Sequence, residues 1–244
     1  MRASDNRVHI TDLKSMSETP AHYRYQSQVG RADTNSLSLG RLVHYMALED
    51  GQPHVFDGTR RGKAYEAWAA ALPPDAIQAT QSDYDTARNI VDALQSDPLA
   101  VEWLSGQREL DIEWEWCGLK CSSRLDVYDP EAARLVDLKT TAGSAGPYAF
   151  ARECKKYSYH AQMAFYREAL RWKGLEVKEV GFVAVSTKPP HVPAVYRLTD
   201  EELELGERMC RAWIEALSNC LHSGHWPGYS AQPMELGLAP SGDW

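Results

Sequence analysis

The chain has 244 residues, of which 43% are hydrophobic and 25% charged, and a formal charge of −8. These totals predict one soluble globular domain with a substantial core, and they exclude a membrane-spanning protein, since no apolar run approaches the ~20 residues needed to cross a bilayer. The acidic balance also excludes a protein that coats nucleic acid by bulk electrostatics. A nucleic-acid ligand would have to be gripped by a local basic channel and through metal ions held by some of the acids. The N-terminal "MRASDNRVHITDLK" lacks the apolar centre of a secretion signal, and five unevenly spaced cysteines suggest no disulfide framework, so a reducing, cytoplasmic setting is expected.

Residues 1–108 read as helical. Thr19-Pro20 supplies an N-cap followed by proline at the first helical position, and "SLSLGRLVHYMALED" sets Leu39, Leu42, Val43, Met46 and Ala47 at helical spacing. "GTRRGKAYEAWAAALPPD" places a basic, glycine-punctuated loop with Arg60, Arg61 and Lys63 before a short helix. "SDYDTARNIVDALQSDP" predicts another, opening on a Ser/Asp cap and stopping before Pro98. From residue 109 the period changes: "ELDIEWEWCGLKCSSRLDVYDPEAARLVDLKTT" alternates every second residue and breaks at Cys117-Gly118 and Asp129-Pro130, which predicts three successive antiparallel strands. A loop from Ala142 to Pro147 leads to the helix "YSYHAQMAFYREALRWKG", closed by Gly174. "EVGFVAVSTK" reads as a buried strand and "TDEELELGERMCRAWIEALSNCLHSG" as a long final helix, while the Pro- and Gly-rich tail, 226–244, reads as irregular. This order predicts an α/β domain in which a mixed central β-sheet is flanked by helices.

Two aspartates and a lysine interrupt the strand region. Asp137 and Lys139 share one face of their strand, with Val136 and Leu138 on the other. If Pro130 to Ala133 form a four-residue turn, the register sets Asp126 opposite Asp137 and Arg124 opposite Lys139. Directly opposed Cβ atoms lie about 4.5–5.5 Å apart, and two carboxylates so placed repel unless a proton or a cation lies between them. A hard divalent cation resolves the conflict, because Mg2+ is typically held by one or two carboxylates together with substrate phosphate and water. The bare acid-x-Lys pattern occurs four times, at Asp12-Leu13-Lys14, Asp137-Leu138-Lys139, Glu153-Cys154-Lys155 and Glu176-Val177-Lys178. Only the second has a preceding strand able to bring another acid to its face and a following helix able to close over it; the other three read as chance. On residue pattern alone, a solvated hairpin face explains the stretch as well as a metal site does.

Taken in order, His44 on a helix, Asp126, the "VDLK" of Asp137 and Lys139, and "YHAQMAFY" with Gln162 and Tyr166 resemble the PD-(D/E)XK nuclease superfamily. Within it they look like the RecB-like and RecE-type exonucleases, whose pattern is a helical His, an acid, an acid-x-Lys pair and a Gln-x-x-x-Tyr helix. "ITDLKSMSETPAHYRY", "LGRLVHYMALE" and "RRGKAYEAW" also resemble RecE-type exonucleases, so the likeness runs from roughly residue 8 to 220. The resemblance implies a restriction-endonuclease-like core that binds Mg2+, with Mn2+ as a substitute, through Asp126 and Asp137. It makes His44 an auxiliary ligand, gives Lys139 the attacking water, and has Gln162 and Tyr166 support the site or the DNA. Many relatives carry Glu where this chain has Asp137, and the shorter side chain asks for a closer metal. The implied activity is exonucleolytic digestion of linear double-stranded DNA from 5′ ends in recombination. A homo-oligomeric ring around DNA and a RecT-like single-strand annealing partner follow by the same analogy.

Without the family, several readings stay open. His44 lies more than about 100° from the centre of its helix's apolar stripe, as either a surface histidine or a ligand. Gln162 and Tyr166 share a helix face with Tyr159, which is either a core stripe or part of a site. Arg124 shares a strand face with Asp126 and is a candidate to meet a phosphate. Arg60, Arg61, Lys63 and Tyr159 are the other candidates for DNA contact, the basic trio being equally a solvated loop. Glu113 and Glu115 read as the wet face of a strand, with Glu113 a minor candidate to touch the site. Two other functions compete: a Cas4-like nuclease with an iron–sulfur cluster, and an inactive nuclease fold that binds DNA or assembles complexes. The first needs four suitably placed thiolates, which Cys117, Cys121, Cys154, Cys210 and Cys220 do not offer by their spacing.

Overall fold

The computed structural model describes residues 7–29 and 35–236. A short strand β1 (Val8–His9) runs into α1 (Ile10–Leu13) and a 3₁₀ turn (Lys14–Ser17), where Ile10, Leu13 and Met16 are buried. α2 (Pro20–Val29) begins at the expected proline, and α3 (Asn35–Leu48) buries Leu42 and Val43 of the predicted stripe together with Leu48. Next come β2 (His54–Phe56), α4 (Lys63–Ala70), β3 (Gln78–Thr80), α5 (Gln81–Ser96) and α6 (Pro98–Trp103). β2 and β3 pair in parallel as a small separate sheet in a region expected to be helical; three residues are too few to display a strand period. The cap of α5 is Thr80, two residues before the expected Ser82. Its hydroxyl accepts from the Asp83 N–H, and the Asp83 carboxylate accepts from the Thr80 N–H, so two orphan donors are satisfied reciprocally.

The predicted meander follows as β4 (Gln107–Trp116), β5 (Leu119–Asp129) and β6 (Arg134–Thr141). Cys117 and Gly118, at φ 50° and 74°, form a two-residue turn whose twist matches that of the strands it joins. The chain continues through α7 (Pro147–Lys156), α8 (Tyr159–Trp172), β7 (Glu179–Ser186), β8 (Pro193–Arg197) and α9 (Asp200–Ser223). Sequence pattern does not announce α7, which buries Phe150 alone, or β8, a half-buried edge strand opening on a proline.

Six strands form the main sheet, in the order β1-β5-β6-β7-β8 with β4 also on β5. It is mixed: β6 and β7 are parallel, joined by the α7–α8 crossover, and β5 pairs antiparallel with β4 and β6. Two apolar layers cover its faces. Ile112, Trp114, Leu125, Leu135 and Phe182 pack with Phe165 of α8 and Ile214 of α9, while Val127, Val136, Leu138 and Val183 pack with Val43 of α3 and Ile90 of α5. α8 and α9 meet backbone to backbone at Gly206, where a Cβ would lie 2.5 Å from the His160 carbonyl oxygen. No helix of the described residues is long and apolar enough to cross a membrane.

After α9, residues 224–236 form no helix or strand, as expected of the tail, and 237–244 lie outside the described residues. The segment is nonetheless docked. Trp226 stacks on Tyr23 at 6.1 Å with the Arg24 guanidinium 5.7 Å from its ring, and the Pro227 carbonyl accepts from the Ala21 N–H at 3.1 Å. Trp226→Ala is therefore expected to cost about 1–2 kcal/mol in chemical denaturation, the combined scale of one aromatic pair and one cation–π contact.

Candidate active site

The strands that carry the acids stop pairing where the acids begin. β5 and β6 pair from Asp129–Arg134 through Val127–Val136, in the expected register, but the rungs Asp126–Asp137 and Arg124–Lys139 are not made. On the other side, β4 pairs through Arg108–Val127 and Leu110–Leu125 and skips the rung between Glu109 and Asp126. Glu109 is held at φ 50°, a left-handed conformation that costs an L-residue about 1–2 kcal/mol. Side-chain alternation along β5 reverses at the same place, since Leu125 belongs to one apolar layer and Val127 to the other. The result is a gap between β5 and β6, and Asp126 fills it: its Oδ2 accepts from the Leu138 N–H at 2.8 Å, taking the place of a ladder bond.

Side chains reach this gap from both faces of the sheet. Asp137 and Lys139 face α8, where the predicted spacing puts Tyr159, Gln162 and Tyr166 on one side. The Gln162 amide donates to Asp137 Oδ1 at 2.9 Å and to the Tyr166 hydroxyl oxygen at 3.2 Å. The Lys139 ammonium contacts Asp137 Oδ2 and lies 4.6 Å from the centroid of the Tyr159 ring. From the opposite face comes α3, which approaches β6 closely at Gly40, where a Cβ would sit 3.1 Å from Thr140 Oγ1. One turn later His44 Nδ1 lies 3.5 Å from Asp126 Oδ2. His44, Glu109 and Asp126 each offer a ligand atom, and these atoms lie within 4.8 Å of one another.

Glu109 is the acid that sequence reading missed. Glu113, the acid considered there, instead pairs with Arg7 at 2.8 Å with most of its side chain exposed. The only signal for Glu109 is its place opposite Asp126, and that becomes visible once the β4–β5 register is known. Arg124 sits at the rim, paired with Glu109 and 3.6 Å from Glu49, its side chain 54% exposed. The basic trio makes no hydrogen bond or ion pair with the acids. Arg60 is used by Asp83 at 2.9 Å and by the Gln78 carbonyl at 3.3 Å, while Arg61 and Lys63 are exposed.

Burial sets the electrostatics. It pushes the Asp126 carboxyl well above its ordinary value, and the charge of Asp137 pushes it further. Burial alone would depress the Lys139 ammonium, but Asp137 and then Asp126 more than reverse that, so the lysine keeps its proton. Burial also lowers His44, although 26% of its side chain is exposed, leaving a neutral imidazole with a lone pair to offer. Tyr166 is raised by burial and by the same two acids, and stays a phenol. Asp137 Oδ2, in a side chain 2% exposed, contacts the Lys139 ammonium and, among the described residues, lacks any well-formed hydrogen bond. Buried carboxylate oxygens in excess of the nearby positive charge, with one neutral imidazole, fit a hard divalent cation. The thiols do not compete for that role. Burial pushes Cys121 up to about 12 and Cys154 up to about 11, and none of the five cysteines belongs to the ligand group.

A mixed sheet flanked by helices, with an acid and an acid-x-Lys pair meeting at a break in its hairpin, is the arrangement expected of a PD-(D/E)XK-like domain. The chain belongs to the family described as a PDDEXK-like domain of unknown function (DUF3799), which matches residues 9–234. Among solved structures, the chain is similar to an exonuclease candidate from Eubacterium rectale, with a TM-score of 0.68 at 13% identity, covering 96% of this chain and 91% of that one. A phage-related exonuclease from Haemophilus somnus 129PT matches with a TM-score of 0.42 at 12% identity, covering 90% of this chain and 96% of that one. No curated protein matches the sequence.

Proposed function

We propose that the protein is a Mg2+-dependent exodeoxyribonuclease that hydrolyses phosphodiester bonds of linear double-stranded DNA from 5′ ends, with Mn2+ able to replace Mg2+. The observation that carries this reading is the meeting of Asp126, Asp137 and Lys139 in one buried gap, with Gln162 and His44 closing on it from opposite faces. A divalent cation held there acidifies water and stabilises charge on a phosphoryl oxygen. Asp126 and Asp137 would hold it, with His44 and Glu109 as further donors on the Asp126 side. Gln162 fixes the plane of the Asp137 carboxylate. Lys139, being protonated, donates a hydrogen bond that orients the nucleophilic water and meets negative charge building on the phosphate, instead of acting as a base at rest.

The 5′ polarity and the role in recombination rest on the resemblance of the ordered motif set to RecE-type exonucleases. The exonuclease description of the Eubacterium rectale protein supports attack at ends. A cytoplasmic setting, a ring-shaped homo-oligomer and a single-strand annealing partner belong to the same reading. Linear duplex labelled at either the 5′ or the 3′ end, alongside covalently closed circles, tests it. Early release of the 5′ label with intact circles, abolished by EDTA, is expected. Nicking of circles as fast as linear DNA, or no cleavage with either Mg2+ or Mn2+, contradicts it.

A further inference from the structure

Asp12-Leu13-Lys14, one of the acid-x-Lys triplets that read as chance, is brought to the acids by the fold. β4 occupies one edge of β5, so β1 and β6 share the other: Val8 and His9 pair with Cys121 and Ser122, and β6 takes Val127 to Asp129. Residues 123–126 between them have no strand partner on that edge, and this is where Asp126 lies. β1 leads straight through α1 into the 3₁₀ turn, which is anchored by Leu13 and Met16 in the α8/α9 layer. From that turn the Lys14 ammonium donates to Gln162 Oε1 at 3.0 Å, and it lies 5.3 Å from the centroid of the Tyr159 ring that Lys139 also approaches. The other end of the same carboxamide donates to Asp137 Oδ1.

We propose that Lys14 is a positioning residue of the nuclease site, acting through the Gln162 carboxamide on the Asp137 carboxylate; this rests on the nuclease reading above. The oxygen and nitrogen ends of a carboxamide have nearly the same shape, so a half-turn of the Gln162 amide meets little steric resistance. Electrostatics decides between the two orientations. Flipped, the amide would aim its oxygen at a carboxylate and its N–H groups at an ammonium. With Lys14 on Oε1, a charge-assisted bond at each end holds the orientation that donates to Asp137 Oδ1 and leaves Oδ2 turned toward Lys139. The N-terminal segment thereby supplies a working part of the site and does more than cover a sheet edge.

Steady-state cleavage of linear duplex by Lys14→Met, Lys14→Arg, Gln162→Leu and the Lys14→Met/Gln162→Leu double variant tests this, with rates normalised to the folded fraction from circular dichroism. Loss of a residue that orients a metal-site carboxylate is on the scale of about 10–100-fold. Lys14→Met is expected to lower kcat about tenfold with KM for DNA within about twofold, and Lys14→Arg to recover most of the loss. In the Gln162→Leu background, Lys14→Met should cost less than about twofold, because the path it uses is gone. Wild-type kcat in Lys14→Met, an undiminished loss in the Gln162→Leu background, or no recovery with arginine overturns the role of Lys14 while leaving the nuclease reading in place. Failure of the wild-type protein to cleave DNA with Mg2+ or Mn2+ overturns the nuclease reading, and the positioning role with it.

Discussion

Lys139→Ala is expected to lower kcat on linear duplex DNA about a thousandfold while leaving Mn2+ bound at least as tightly as in the wild type. The lysine is mostly buried against Asp137 Oδ2 and the Tyr159 ring, and the two acids keep it charged. A single positioned donor or proton-transfer group in a water-poor site contributes about 10²–10⁴ in rate. Binding should move the other way, because the substitution removes a cation beside the carboxylates that hold the metal. Asp137 also loses its counter-ion, so the metal-free variant should melt below the wild type and regain stability on adding Mn2+. Single-turnover cleavage and a calorimetric Mn2+ titration read the two effects separately. A rate within tenfold of wild type would remove Lys139 from the chemistry.

The second large effect separates stability from activity. In Asp126→Asn the side-chain oxygen can still accept from the Leu138 N–H, but the charge that burial penalises is gone. The metal-free variant is expected to melt no lower than the wild type near neutral pH, and to lose cleavage about a thousandfold or more. The rise in melting temperature that a saturating metal gives the wild type, worth about 2.7 kcal/mol at a hundredfold excess over Kd, should largely vanish. The pH dependence follows with a definite sign. Because the folded-state pKa of Asp126 lies above its ordinary 3.8, the folded protein holds more protons than the unfolded chain between those two values. Asp126 therefore makes metal-free stability fall as pH rises through that window, and the Asn variant should lose that slope. An Asn variant that melts well below the wild type while keeping its metal response would contradict this account.

How much of this was legible in sequence varies with the range of the interactions. The meander, its turns and the β5–β6 register were readable because strand period and turn chemistry are local. The break in the ladder was not. Leu125 and Val127 are both apolar at strand spacing and read as neighbours on one face, yet they lie on opposite faces because Glu109 across the sheet turns left-handed and frees Asp126 from both partners. The face shared by Tyr159, Gln162 and Tyr166 followed from helical spacing, and His44 from its place off the apolar stripe. That these face one another across a gap in the sheet needed the fold. Glu109 carries no local signal, and nothing local sets the Asp12-Leu13-Lys14 triplet apart from the chance copies; Lys14 reaches Gln162, and Glu109 reaches Asp126, only because their strands pair with β5. Arg60 reads in sequence as either part of a basic channel or a solvated loop; that it binds Asp83, 23 residues on, and the Gln78 carbonyl of β3 needed the fold.

Anomalous diffraction from crystals soaked in Mn2+ tests the central claim most directly. The account predicts a peak in the gap between β5 and β6, bonded by carboxylate oxygens of both Asp126 and Asp137, with the His44 imidazole on its Asp126 side and the Lys139 ammonium outside its coordination shell. A fully soaked crystal with no peak between those two carboxylates, or with Mn2+ held by other residues alone, would contradict it.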